Sequence, residues 1–496
     1  MKNKLFSGSI AFLAMAAAMT ACSSNDDNGE TPVNPDNQKY TWSTDGGIKA
    51  CDHLLFDADG KEDANGKVIG NGDQEFVFKG KQTLAKGTYE LRGWVYVAEG
   101  SELTIPAGTI IKGDKQTKAT LIAEPGGKII AQGTKTEPIV FTSEQPAGSR
   151  KPGDWGGIII CGKAPNNNGV LNQQIEGGPR TKHGGTNADD NSGVLSYVRI
   201  EFGGYPFQKD QEINGLTLGS VGAGTKIDHV QVSYSNDDSF EWFGGTVNCD
   251  HLIAFRGWDD DFDTDNGFAG NVSYGLSVRD SRIADASQSN GFESDNNASG
   301  STATPYTTAN FSYMTFLGPK AFDASFENTK EYINGGSMNP GNGSSTGLFQ
   351  AAMHIRRNSR LNCTNSVFIG WPIGIILDNQ KGDTQGAATQ GLLKLNNLCF
   401  AGMTITGSDF NKVYQDNLMT DYTNQTLDTS KPSFSTSFFS IAANNNSISD
   451  WTAMTWNGIA SIIEANRKVS TTAGAFADGN DWTAGWANFD PEHTQY

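Results

Sequence analysis

The sequence predicts an all-β solenoid of short parallel strands, on three observations. Glycine is abundant, 59 of 496 residues, as expected of a chain that turns often and forms little helix. The segments LSYVRIEFGG (195–204), IDHVQVSYSN (227–236), CDHLIAFRGW (249–258), FSYMTFLGP (311–319) and NSVFIGW (365–371) share one strand-like pattern that ends in a turn. That pattern also has a period. Asp228-His229 recurs as Asp250-His251, and Phe240-Glu241 as Phe262-Asp263, each after 22 residues; Phe262-Asp263 recurs as Phe292-Glu293 after 30. A fixed period with insertions confined to turns is what stacked coils produce, because every coil returns to the same place through a loop of variable length.

The chain begins with Lys2 and Lys4, then LFSGSIAFLAMAAAM, then MTAC ending at Cys22. A charged start, a short apolar run and a small-residue site before a cysteine predict a lipoprotein signal peptide over 1–21, with Cys22 as the lipidation site. The expected location is the outer membrane, lipid-anchored and exposed at the cell surface. Residues 22–39 read as a flexible acidic tether, since SSNDDNGETPVNPDNQ offers no Leu, Ile or aromatic residue to a core. An N-terminal cap is expected over 40–90 and the solenoid itself over 91–402. A net charge of -18, from 37 basic and 55 acidic residues, argues against nucleic acid and favours cations or neutral ligands. The remaining cysteines, Cys51, Cys161, Cys249, Cys363 and Cys399, show no CxxC spacing, so one disulfide or none is expected.

Within a coil the apolar residues alternate: Val198, Ile200 and Phe202 against Tyr197, Arg199 and Glu201, and Val230 and Val232 against His229, Gln231 and Ser233. One face turns inward and the other forms ladders of outward residues about 4.8 Å apart. Tyr197, His229, His251 and Tyr313 form such a ladder. As neighbours on a strand, Asp228 and His229, and Asp250 and His251, are expected to face opposite sides, which rules out hydrogen-bonded dyads.

VYVAEGSELTIPAGTIIKG (95–113), KIIAQGTKTEPIVFTS (128–143) and GDWGGIIICGKAP (153–165) resemble the opening coils of surface lipoproteins of Bacteroidota with a pectate-lyase-like fold. The likeness continues through VRIEFGG, NGFESDN and GWPIGIILD to WTAGWANFDPEHTQY at the end of the sequence. It implies a single-stranded right-handed parallel β-helix and a place on the cell surface. It carries no activity onto particular residues.

The stretch GWDDDFDTDNGF (257–268) concentrates five aspartates between positions 259 and 265. On a strand, Asp261, Asp263 and Asp265 share the outward side while Phe262 points in, and Phe240 and Phe292 take the matching position in adjacent coils. Glu241 should then lie beside Asp263, with Glu293 and Asp295 beside Asp263 and Asp265. Asp237, Asp238, Asp259 and Asp260 lie at the margin. Like charges about 5 Å apart repel by roughly 1 kcal/mol in water and more near a low-dielectric surface, so the grid requires cations or shared protons. Calcium is the expected cofactor, held by Asp238, Glu241, Asp261, Asp263, Asp265, Glu293 and Asp295. The loop is not an EF-hand: Gly267 comes one place late, and Val272 stands where a bidentate Glu is needed.

The expected function is non-catalytic binding of a glycan or a partner protein through this acidic and aromatic face, in support of a nutrient-uptake complex. Trp242, Trp258, Phe255, His229 and His251 are the expected binding residues, and Trp155 and Trp371 are expected at turns or on outward positions. The alternative is a polysaccharide lyase or glycoside hydrolase built on Glu241, Asp261 and Asp263 with Arg256 and Arg279. Beyond 403 the coil pattern lapses. SDWTAMTWNGIASIIEANRK (449–468) has Trp456, Ile459, Ile462 and Ile463 at helical spacing, so 403–496 reads as a mixed helix and loop cap over the open end, with Trp482, Trp486 and Phe489 packed against it.

Overall fold

The computed structural model describes residues 40–207, 212–403, 439–441 and 451–496. The signal peptide, the tether and Cys22 lie outside the described residues. Gly46 and Gly47, both with positive φ, close a two-residue turn between the antiparallel strands Trp42–Asp45 and Ile48–Cys51. From there the chain winds as a parallel β-helix. Glu75–Phe78 pairs in parallel with Trp94–Val97, so coiling begins inside the segment read as the cap. At the far end Phe439–Ile441 pairs in parallel with Leu395–Ala401, past the expected boundary at 402.

Each coil adds to a 12-stranded sheet and to a 17-stranded one, which the early coils enter as two short strands, as in Glu102–Pro106 and Ile110–Gly113, and which most later coils enter as one longer strand. In the later coils that longer strand is bent, as in Gly193–Glu201, Lys226–Ser233, Cys249–Phe255 and Asn271–Val278. The bend falls at one residue per coil, and those residues are left-handed: Tyr197, His229, His251, Tyr274, Tyr313, Asn365 and Asn397 have φ between 51° and 56°. Non-glycine residues seldom adopt this region. Here the bend stacks five of them as rings, with centroids 4.3, 4.6, 5.0 and 5.2 Å apart from Tyr197 to Tyr313. Tyr274 is a rung that the spacing did not reveal.

The bend also overturns the expectation for the aspartate and histidine neighbours. Left-handed backbone breaks strand alternation, so adjacent side chains fall on one side. His229 Nδ1 and Asp228 Oδ1 are hydrogen-bonded at 2.9 Å; His251 Nδ1 lies 2.6 Å from Asp250 Oδ1, close but without the geometry of a hydrogen bond.

The interior is a continuous apolar column in which Val198, Val230 and Leu252 stack through successive coils, as do Ile200, Val232 and Ala254. Phe240 and Phe262 stack at 5.3 Å, and Phe292 follows at 5.9 Å. Cys51, Cys161, Cys249, Cys363 and Cys399 are all free and buried, so no disulfide joins them.

The tail was expected to lie across the open end. Its described part, 451–496, instead runs along the flank as a strap. A helix over Gly458–Val469 turns Ile462, Ala465 and Val469 inward; it starts later than the pattern suggested because Gly458 is left-handed. Trp482 then meets His251 and Trp486 meets His229, edge to face. The Asn488 backbone exchanges two hydrogen bonds with the Gln231 amide. Arg150 donates to the carbonyls of Pro491 and Thr494, the Tyr496 hydroxyl donates to Glu201 at 2.6 Å, and Lys112 donates to the Tyr496 carbonyl.

Candidate functional site

Alternation and register build the site together. In Phe240–Gly245 the ring of Phe240 enters the core, so Glu241 faces out. Parallel pairing sets Glu241 beside Asp263, Asp263 beside Glu293, and Glu293 beside His354. Four ionisable side chains therefore climb one ladder at strand spacing, about 4.8 Å. Glu241, Asp263 and Glu293 line a cleft of about 730 Å³. Residues Gln173 to Gly178 of a small hairpin, whose strands are Gln173–Gln174 and Lys182–His183, line it too, together with the loop carrying Asn297, Ser299 and Ser301.

Asp238, Glu241 and Asp263 each bring an oxygen within 4.8 Å of the other two. Asp238 Oδ1 accepts from the Asp260 N–H at 2.8 Å, and Glu241 accepts from the Asn214 amide. Asp263 Oδ1 is buried and has no hydrogen-bond partner among the described residues. Burial pushes Glu241 well above the ordinary carboxylate range, and the Asp263 charge pushes it further. Asp263 is raised by burial, then by Glu293, Asp295 and Asp265, against a smaller opposing pull from Arg356. Asp265 is pushed up to about 8 by burial and the Asp295 charge. Desolvation and like charge act in the same direction here, and both favour the protonated acid.

The far side of the ladder is neutralised. Arg356 donates to Asp295 at 2.8 Å and to Glu293, and Arg357 donates to Asp295 at 2.5 Å. Burial works against the Arg356 charge, but Asp295 and Glu293 outweigh it and hold the guanidinium ionised. His354 is buried, with Nε2 3.4 Å from Asp378 and Nδ1 3.7 Å from Glu293. The three clustered oxygens fit part of a calcium shell, which takes six to eight oxygens and completes itself with water.

Several expected site residues lie elsewhere. Asp261 is not on the ladder: it precedes the strand Phe262–Asp265, where the corner breaks alternation, and it is fully buried, accepting from Ser277 at 2.5 Å and Arg279 at 2.8 Å. Arg279 is correspondingly fixed and serves no base role. Arg256 bonds Tyr234, sits 3.7 Å from Asp280 and packs over Phe255 and Trp456. Trp242, Trp258, Phe255, Trp155 and Trp371 are wholly buried, which removes the aromatic binding face. Trp242 stacks on Phe240, as its position two residues along the same strand requires. His229 and His251 lie beneath the strap tryptophans.

Arg356, Arg357, His354 and the hairpin wall were not anticipated. Arg356 follows the strand Ala351–Ile355, the next rung after Phe292–Ser294, so carrying the repeat one coil further would have found it.

A family model described as a pectate-lyase like beta helix domain matches residues 77–487. No curated protein and no solved structure matches the chain.

Proposed function

Since the chain belongs to the pectate-lyase-like β-helix family, we propose that it is a surface lipoprotein that binds a glycan in the cleft above Glu241, Asp263 and Glu293. The carrying observation is the Asp238, Glu241 and Asp263 triad, with oxygens within 4.8 Å, of which Glu241 and Asp263 line a cleft that Gln173, Gln174, Asn297, Ser299 and Ser301 also line. Calcium held by these three would relieve their repulsion and give the orphaned Asp263 oxygen a partner. Asp265 would complete the shell with water, while Glu293 and Asp295 are taken by arginines. The lipid on Cys22 would tether the β-helix to the outer membrane as an accessory of nutrient uptake. No helix among the described residues is long and apolar enough to cross a membrane.

Glycan arrays read with and without EDTA test the binding role; absence of binding to any glycan in calcium would refute it. Metabolic labelling with a fatty acid, lost in Cys22→Ala, tests the anchor.

A second reading is favoured by one observation. Glu241 and Asp263 lie side by side on adjacent coils with oxygens within 4.8 Å, close to the separation of roughly 5–5.5 Å between the acid and nucleophile of a retaining glycosidase. Reducing-end release that vanishes in Asp263→Asn would establish it, and release that persists would exclude this pair.

A further inference from the structure

We infer that Phe207 is a stacking subsite for a glycan chain that extends out of the cleft, an inference that rests on the carbohydrate reading above. A cleft of about 730 Å³ has the size of a small-molecule site, so it holds a short stretch of glycan and a longer chain must leave it over a wall. Among the described residues that line it, Phe243 alone is aromatic, and it is buried. The cleft itself therefore gives a sugar no flat ring to lie on. Phe207 presents one at the rim.

The fold holds that ring in place from three sides. Gly177 and Gly178, in the turn of the hairpin, end the stretch that lines the cleft, and both are left-handed, with φ of 82° and 93°. The segment from Tyr205 to Ile213 packs on this double glycine, its ends joined by a hydrogen bond from the Ile213 N–H to the Tyr205 carbonyl at 3.2 Å. A Cβ on Gly177 would collide with Ile213, and one on Gly178 would come within 2.9 Å of the Phe207 ring. Without those side chains the ring lies against the backbone of the wall. Trp94, itself buried, meets it at 58° with centroids 5.2 Å apart. Even so, Phe207 is 38 % exposed.

Six large hydrophobic residues are exposed among the described residues, and three of them belong to this wall or rest on it. Val170 and Leu171 precede the stretch Gln173 to Gly178, and Phe207 packs on its end. Apolar surface gathered at the edge of a polar cleft marks a place where a ligand is met. A sugar ring fits both chemistries: its C–H groups present an apolar face to the π-surface of Phe207, and its hydroxyls reach the amides of the wall. Such stacking involves no charge, so it holds whatever the protonation of the acids in the cleft.

Isothermal titration of the detergent-solubilised full chain in calcium, with disaccharides and hexasaccharides of the α-glucan, β-glucan, xylan, mannan and polygalacturonate series, tests the inference. In a series that binds, Phe207→Ala should weaken the hexasaccharide by about fivefold and leave the disaccharide unchanged, because only the longer chain reaches the rim. Phe207→Trp should restore the hexasaccharide affinity. Equal hexasaccharide affinity in Phe207→Ala and the unmodified protein would overturn the subsite while leaving the carbohydrate reading intact. So would a loss of equal size for the disaccharide, which would assign the ring to holding the wall. Failure of every series to bind the unmodified protein would refute the carbohydrate reading, and the subsite with it.

Discussion

Two ladders climb the same coils, one on each wall, and they meet the same geometric demand in opposite ways. Parallel stacking obliges equivalent residues to sit at strand spacing. Where those residues are Tyr197, His229, His251, Tyr274 and Tyr313, the rings stack and the strap tryptophans cover part of the column. Where they are Glu241, Asp263 and Glu293, the stacking sets like charge on like charge, and a cleft stands open above them. The first ladder satisfies itself and belongs to the fold. The second is incomplete without protons, arginines or a ligand, which is why it reads as a site.

Asp261 marks the boundary between these regimes, because it is an acid two residues from Asp263 that already owns its counter-ion. Asp261→Ala should destabilise by roughly 3–5 kcal/mol in urea unfolding, because it leaves Arg279 buried and unpaired. A loss under about 1 kcal/mol would show that the pair is not shielded as described. On the aromatic side, Trp486→Ala should cost about 3 kcal/mol, as for other buried Trp truncations, and leave calcium affinity unchanged. A change in calcium affinity would mean that the two ladders are coupled.

Calcium withdrawal should act on the acidic ladder alone. If the triad binds, calcium at about 100 times Kd adds about 2.7 kcal/mol, seen as a higher melting temperature that EDTA abolishes. The pH dependence follows from Asp259 and Asp265, both pushed up to about 8, Asp259 by burial and then Asp285, Asp265 by burial and then Asp295. A carboxyl raised on folding stabilises only while protonated. Its contribution is complete below its unfolded value near 4 and is lost as pH rises through about 8. In EDTA the melting temperature should therefore fall between pH 5 and 9, a window set by that range; with calcium the fall should flatten. The smallest effect is expected from Asp263→Asn, which should stabilise the calcium-free protein by about 1 kcal/mol while weakening calcium. Destabilisation in EDTA would argue that Asp263 is not repelled by its neighbours.

Much of this was legible in the sequence. The 22-residue interval and the Phe240, Phe262 and Phe292 column gave the coil register, and with it the adjacency of Glu241, Asp263 and Glu293. Two of the failures share a cause: they fall where alternation stops. Asp261 sits at a corner and His229 at a left-handed bend, and neither position announces its backbone angle in the residue type. Trp242 is different, since the alternation that sends Glu241 outward already sends Trp242 inward. Its burial was readable, and the attraction of a tryptophan beside acids obscured it. The strap was not readable, because contacts such as Tyr496 with Glu201 join residues far apart in sequence and no periodicity relates them.

That strap alters how the molecule should come apart. A stack of coils coupled only to nearest neighbours frays from its ends, one repeat at a time. Here one segment touches Lys112, Arg150, Gln231, Thr315 and Ala321 in turn, so early and late coils share a fastening. Losing a terminal coil would mean peeling the fastening from the others as well. Under mechanical pulling or protease, such a solenoid should yield as one body, with a single rupture where an unstrapped stack would show a staircase.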